Sequence, residues 1–360
     1  MNSERKILIA FLDWGLGHAT RCMPIIDALL KQKYQVFIAG NGKSLLMMQQ
    51  QYPNLKSYEL PNYNIQYNGD KNAAWQILFQ ARKIYNAIKK EHQFLKSIIE
   101  QESINTIISD NRYGIYHQNC KNIFLSHQIA IQAPRPFKFV EPFLLKQILK
   151  LISKFNELWI PDMEDEVHNL SGVLSHKIKF TIPVKYIGIL SRFNKDNHSS
   201  KIDDKRYKIV ALISGVEPSR SDFEQKIIKS LEETNRTCLL ICGRIEKQKS
   251  IKQHKNITII NFLQGDKLEH YLQQAEVVIC RSGYSTVMDL MALEKKAIFI
   301  PTPGQTEQEY LAENLAKQGI AIYQKQSSMN LVAALSQIES IKGFKNNTSF
   351  LFRKEVLDDL

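Results

Sequence analysis

The 360-residue chain predicts an α/β protein of two Rossmann-type domains, each a parallel β-sheet flanked by helices. Three observations support this. Apolar runs without polar alternation, such as KILIAFL (6–12) and VVIC (277–280), read as strands buried on both faces. Helical spacing of apolar residues separates these runs, and strand–helix alternation is the signature of a parallel sheet. The chain is also longer than the about 250–300 residues at which single cores stop growing, and its alternation restarts near residue 207.

In order, the first domain is set at 1–162. After KILIAFL comes DWGLGHATR, then a helix carrying Met23, Ile25, Ile26, Leu29 and Leu30. YQVFIAG (34–40) is a second strand, followed by a helix, and 56–60 a third strand. A long helix is expected over 73–102, with Trp75, Leu78, Phe79, Ile84 and Ile88 among its apolar positions. INTIISD (104–110), NIFLSHQ (122–128) and ELWIP (157–161) complete the first sheet. The second domain is set at 163–335, entered through MEDEVHNLSG, the KYIGIL strand and a polar loop at 191–206. YKIVALISG (207–215) leads to a helix with a capping-box pattern at Ser219-Arg220-Ser221-Asp222. RTCLLICG (236–243) and NITIINFL (256–263) are strands, and a helix covers 267–275. The stretch 276–312 reads strand, small-residue turn, helix, strand, polar loop, helix. A short strand at 321–325, a helix at 331–338 and a tail at 336–360 close the chain.

Segment 134–155 departs from the alternation. PRPFKFVEPF runs into a helix with Lys146, Lys150 and Lys154 beside an apolar face of Leu144, Leu145, Ile148, Leu151, Ile152 and Phe155. It reads either as a core-facing helix with a solvated lysine side or as a basic amphipathic segment for an anionic membrane. Phe137, Phe139 and Phe143 upstream suit the second reading.

Composition narrows the classes. Hydrophobic residues at 44% and charged ones at 23% are ordinary for a soluble globular protein. A net charge of +12 implies an anionic partner: nucleic acid, a membrane surface or a phosphorylated substrate. No aromatic–basic stacking motif accompanies it, so nucleic acid is set aside. Five cysteines do not form a disulfide framework; Cys238 and Cys242 read as core. No His/Cys group has zinc spacing, and no metal or cofactor is expected. The apolar run at 7–12 is too short for a signal peptide, and nothing approaches the roughly 20 apolar residues that span a bilayer. The expected location is cytoplasmic, with possible peripheral binding at the inner membrane face.

Ligands of open α/β sheets sit beyond the carboxyl ends of the strands. In the first domain those ends carry Asp13 to His18, Asp110-Asn111-Arg112 and His127-Gln128; in the second, Ser214-Gly215, Gly243-Arg244, Phe262-Leu263, 282–286 and 303–308. His18 is the first candidate for a general base and Asp110 the second; each also reads as a loop or cap residue. Gly15 and Gly17 let backbone amides approach a substrate, but Thr20 stands where the third glycine of a dinucleotide fingerprint would fall. Arg112 is read as holding an acceptor phosphate or pairing with Asp110. After 277–280, Val287, Leu290 and Met291 share one side of a helix while Ser285, Thr286 and Asp289 share the other. Its amides and dipole suit a diphosphate and Asp289 suits ribose hydroxyls; an ordinary capped helix is the other reading. Arg220 and Arg281 are candidates to meet leaving-group charge, or, for Arg281, to support the sheet end.

CRSG (280–283), Thr286-Val287, Asp289, the Pro301 turn and QEY (308–310) together resemble the donor-binding half of the MurG-like glycosyltransferases, glycosyltransferase family 28. The resemblance implies the GT-B fold, with two sheets facing across a cleft and the tail crossing back to the first domain. It implies transfer from a UDP-sugar co-substrate, with N-acetylglucosamine the expected sugar; with no acidic pair at metal-ligand spacing the transfer is expected to be metal-independent, and attack from the opposite face makes it inverting. It also implies roles: Leu263 presents backbone to uracil, and Ser214 and Gly215 line the diphosphate loop with Arg220 nearby. Ser282, Gly283, Ser285 and Thr286 meet phosphate, Asp289 the ribose, and Gln308 and Glu309 the donor sugar. Gly15, Gly17, Arg112 and His127 fall to the acceptor, a glycolipid or polyprenyl-linked saccharide. Asp289 stands where the family commonly has glutamate, Glu309 where it has an amide, and ISGVEPSR differs from the usual GGSxGA loop. A UDP-sugar 2-epimerase of the same fold, or a non-catalytic nucleotide-sugar-binding partner subunit, are the alternatives.

Overall fold

The computed structural model describes residues 5–63, 81–193, 206–215, 217–244, 250–345 and 348–360. It divides into two compact units: one runs to Arg192 and takes in Thr348–Leu360, and the other is Phe193–Asn347.

The first unit is built on a seven-stranded parallel sheet: β1 (Lys6–Phe11), β2 (Gln35–Gly40), β3 (Lys56–Glu59), β4 (Thr106–Asp110), β5 (Lys121–Leu125), β6 (Glu157–Ile160) and β7 (Val184–Tyr186). Their order is β3-β2-β1-β4-β5-β6-β7. From β1 the chain builds outward through β2 to β3, then returns to the other side of β1 with β4, so the switch point lies between β1 and β4. Its helices are α1 (Gly17–Lys31), α2 (Gly42–Gln51), α3 (Ala81–Glu102) and α4 (Glu141–Ile152). Helix α3 turns Ile88, Leu95, Ile98 and Ile99 inward at the i, i+3, i+4 spacing of one helical face; the start expected for it at 73–80, with Trp75, Leu78 and Phe79, lies outside the described residues. The expected domain boundary after 162 shifts to after Arg192. The cause is backbone pairing: Leu158, Trp159 and Ile160 of β6 pair with Val184, Lys185 and Tyr186 of β7. The C-terminal segment joins this unit too, Ile189 N donating to Phe350 O at 2.7 Å and Arg353 N to Ile187 O at 2.9 Å.

The second unit has β8 (Ile209–Leu212), β9 (Cys238–Ile241), β10 (Ile251–His254), β11 (Ile257–Ile260), β12 (Val277–Cys280), β13 (Ala297–Phe299) and β14 (Ile322–Tyr323), in the order β10-β11-β9-β8-β12-β13-β14. Its helices are α5 (Ser219–Glu232), α6 (Gly265–Gln274), α7 (Tyr284–Ala292), α8 (Thr306–Lys317) and α9 (Leu331–Ser336). The switch point here lies between β8 and β12. All pairs are parallel except β10–β11, an edge hairpin whose outer strand, IKQH, is wholly exposed. A polar edge strand protects a sheet from pairing with another chain, and the same polarity hides it from a search for apolar runs. The expected capping box of α5 does not form. Its N-cap is Pro218 without a side-chain bond, and the carboxylate of Glu217 accepts from Ser221 N at 3.2 Å instead.

Segment 134–155 becomes a 3-10 turn, Arg135–Val140, followed by α4. Ile148, Ile152 and Phe155 enter a core with Phe124, Leu158 and Ile160, as the core-facing reading expects. Phe139 and Phe143, in contrast, are 75% and 59% exposed, beside the exposed Arg135, Lys138, Lys146 and Lys150. Among the described residues no helix is long and apolar enough to cross a membrane.

Candidate active site

At the first unit's switch point four side chains lock together. His18 and Arg21 lie one turn apart at the start of α1, so both face the end of β4. Register brings Asp110 opposite Phe11, where β1 gives way to the glycine loop. Asp110 is fully buried. Its Oδ1 lies 2.9 Å from His18 Nδ1, its Oδ2 accepts from Arg21 Nε at 2.6 Å, and Arg21 Nη2 also donates to Oδ1. Arg21 Nη1 lies 2.7 Å from His127 Nδ1, and Arg21 Nη2 lies 2.8 Å from His18 Nδ1. Burial raises the Asp110 carboxyl, but Arg21 and His18 outweigh it and hold the group well below the usual carboxylate range. Asp110, which only accepts, and Arg21, which only donates, both stand within bonding distance of His18 Nδ1, so that side of the imidazole is turned into the buried network. His18 keeps 13% of its side chain exposed and Asp110 none.

This arrangement divides roles that the sequence left open. Asp110 is sealed and orients the imidazole, and is not placed to take a substrate proton itself. Arg21, three residues after His18 in GHATR, escaped the sequence reading; the i, i+3 spacing at a helix start was its only signal. His127 belongs to the same buried network. Arg112 neither pairs with Asp110 nor reaches solvent. It is fully buried, donating from Nε to Phe11 O at 2.8 Å and to Glu91 and Asn41 through its terminal nitrogens. Asn41 follows β2 and Glu91 lies in α3, so Arg112 braces the sheet end against that helix and its acceptor role falls away. Gly15 takes φ +79° with open space where a Cβ would stand, and its carbonyl accepts from Ser44 Oγ at 3.1 Å. Gly17 is the first residue of α1.

In the second unit, Leu212 of β8 pairs with Cys280 of β12, and Cys280 with Phe299 of β13. Ser214-Gly215, Ser282-Gly283 and Pro301-Thr302 therefore leave three adjacent strands at one edge. Ser214 and Gly215 are exposed; Gly215 takes φ +118°, a region that strains any residue with a Cβ. Gly283 is the N-cap of α7, with Ser285 and Thr286 half-buried in its first turn and Asp289 buried one turn on. Ser282 is fully buried and donates to Gln308 O at 2.7 Å, so its hydroxyl ties the turn after β12 to the first turn of α8 and is not presented to phosphate. Leu263 is buried just past β11.

Arg220 does not serve as an open charge. It donates to Glu217 at 2.7 Å and Glu224 at 2.8 Å, which neutralise it. Arg281 is buried, donating from Nη1 to the Ile300 and Pro301 carbonyls at 2.8 and 2.9 Å and lying 3.8 Å over the Phe223 ring. Burial brings its pKa down to about 9. It is the sheet-end arginine of the structural reading. Gln308 and Glu309 open α8 and brace their own loop: Gln308 Oε1 accepts from Thr302 N at 2.9 Å and Glu309 Oε1 from Gly304 N at 3.1 Å. Among the described residues no three His, Cys, Asp or Glu side chains group as metal ligands do.

Comparison with known proteins agrees with this geometry. Residues 211–355 match the model of the glycosyltransferase family 28 C-terminal domain. An uncharacterized glycosyltransferase of Methanosarcina acetivorans is 20% identical over 335 residues, 87% of this chain and 84% of that one. The UDP-N-acetylglucosamine--N-acetylmuramyl-(pentapeptide) pyrophosphoryl-undecaprenol N-acetylglucosamine transferase of Helicobacter hepaticus is 22% identical over 216 residues, 58% of this chain and 59% of that one. The crystal structure of Acinetobacter baumannii MurG superposes with a TM-score of 0.58 at 14% identity, covering 99% of this chain and 100% of that one. Two parallel-sheet units with polar groups gathered at each switch point define the class, a glycosyltransferase of the GT-B fold. Within that class the second unit carries the family 28 C-terminal domain, and the chain is similar to MurG-type N-acetylglucosamine transferases.

Proposed function

We propose that the protein transfers a sugar, N-acetylglucosamine, from a UDP-sugar to a hydroxyl of a glycolipid or polyprenyl-linked saccharide, without a metal and with inversion at the anomeric carbon. The observation that carries this is His18 held by a sealed, ionised Asp110 at a switch point. An imidazole oriented through its Nδ1 side is what deprotonating an acceptor hydroxyl requires, and a purely nucleotide-binding subunit has no use for it. An epimerase needs an available acidic group in the same place, and Asp110 is locked to Arg21. The alkoxide attacks the anomeric carbon opposite the leaving UDP. Amides at the start of α7 and the hydroxyls of Ser285 and Thr286 meet the charge that develops on the diphosphate, while Asp289 takes the ribose hydroxyls.

Binding tests the donor half. UDP and UDP-N-acetylglucosamine are expected to raise the melting temperature of the native protein, since a ligand at 100 times its Kd stabilises by about 2.7 kcal/mol. Calorimetry is expected to find UDP bound about tenfold more weakly to Asp289→Ala, the loss of one charge-assisted hydrogen bond. No stabilisation by any nucleoside diphosphate or its sugars would end this reading.

The acceptor half connects to the exposed Phe139 and Phe143 among Arg135, Lys138, Lys146 and Lys150. Aromatic rings flanked by cations suit the interface of an anionic membrane, where each lysine contributes about 1 kcal/mol. A variant with Phe139→Ser, Phe143→Ser, Lys146→Glu and Lys150→Glu is expected to sediment at least about tenfold less with phosphatidylglycerol vesicles. Undiminished sedimentation would leave α4 as a core-facing helix alone.

A further inference from the structure

Among the described residues of the second unit, two buried polar atoms at neighbouring strand ends find no hydrogen-bond partner: Thr302 Oγ1, past β13, and Arg281 Nε, past β12. Native structures rarely leave such atoms unpaired, because burying an unmet donor costs free energy. Thr302 is only 6% exposed, and its turn is pinned from both sides. Its own N–H donates to Gln308 Oε1 at 2.9 Å, and the two carbonyls before it accept from Arg281 Nη1 at 2.8 and 2.9 Å. The hydroxyl therefore cannot be carried to another partner by a shift of the backbone. It faces Gly215: among the described residues, chain neighbours apart, a Cβ built on that glycine would meet only Thr302 Oγ1, 4.0 Å away. Gly215 itself is exposed, so the space above it is open to a ligand.

We propose that Thr302 Oγ1 is a ligand for the diphosphate, donating a hydrogen bond to a phosphoryl oxygen seated over Gly215. The inference rests on the nucleotide-sugar reading above and adds a specificity contact to it. An anionic oxygen fits better than a sugar hydroxyl because of what stands behind the turn. Among the described residues no carboxylate pairs with Arg281, so its cation supports negative charge at this edge. The absence of a side chain at Gly215 lets the phosphoryl group come close enough to accept.

The test is Thr302→Val, which keeps the shape and removes the hydroxyl, with Thr302→Ser, which keeps the hydroxyl. By calorimetry, Thr302→Val is expected to bind UDP and UDP-N-acetylglucosamine about ten- to a hundredfold more weakly, in equal ratio, and Thr302→Ser to stay within a few-fold of wild type. Without ligand, Thr302→Val is expected to melt at or above the wild-type temperature, since an unmet donor has been removed. Wild-type affinity for UDP in Thr302→Val would overturn the proposal. So would a loss confined to the UDP-sugar, which would move the hydroxyl to the sugar, or a lower melting temperature at unchanged affinity, which would make it structural. If wild-type protein binds no UDP, the functional reading fails; if it binds and Thr302→Val binds equally, only the Thr302 contact fails.

Discussion

Replacing His18 by alanine is expected to cut turnover by about 10²–10⁴-fold, the range contributed by a positioned general base, while affinity for UDP stays unchanged. His18 Nδ1 is held in the network of Asp110 and Arg21, which leaves Nε2 as the ring nitrogen to meet an acceptor hydroxyl. The groups proposed for UDP belong to the other unit and do not include His18. Turnover measured beside UDP calorimetry separates the two effects. Near-normal turnover would remove His18 from the chemistry, and Asp110 offers no substitute, because it is sealed and held ionised by Arg21.

The second large effect is on stability. Asp110→Ala leaves the guanidinium of Arg21 buried without its carboxylate, and breaking a buried ion pair in this way costs about 3–5 kcal/mol. That is a large share of the about 5–15 kcal/mol that keeps a domain folded. The sign with pH follows from the direction of the shift. Asp110 is held below its unfolded value of about 3.9, so its contribution is full above that pH and fades as pH falls toward the folded value. Urea melts are therefore expected to show a wide gap between wild type and Asp110→Ala at pH 7 and a narrower one near pH 3. A gap that does not narrow on acidification, or none at pH 7, would contradict the ion-pair assignment.

Much of the architecture was legible because it is local. Runs such as ILIAF and VVIC lack polar residues since both faces of a parallel strand are covered, and the β4 and β12 ends could be located from the change to polar residues. Strand ends in turn located His18, Asp110 and the 282–289 turn. Two arginines were not legible. Arg112 and Arg220 sit near strand ends, where a cation for phosphate is expected, yet each is engaged by carboxylates, from distant in the chain or on its own helix; for Arg281 the sheet-end role was one of the two readings the sequence offered. Arg21, although it ends the DWGLGHATR stretch, was passed over because its partners Asp110 and His127 lie far off in the chain. The β10 strand and residues 184–186 were hidden or misassigned because an edge strand carries polar residues and pairing is not written in composition.

The sequence by itself determined two parallel sheets, the loops at their ends and the kinship of residues 280–310 to nucleotide-sugar enzymes, because periodicity and turn chemistry act over a few residues. Tertiary structure alone decided which charges are spent on the fold and which remain for a ligand. A side chain's charge and donors are fixed by its type, but its partners arrive from 89 residues away, as Asp110 does for Arg21, or from one strand over, as Arg281 does for the Pro301 carbonyl.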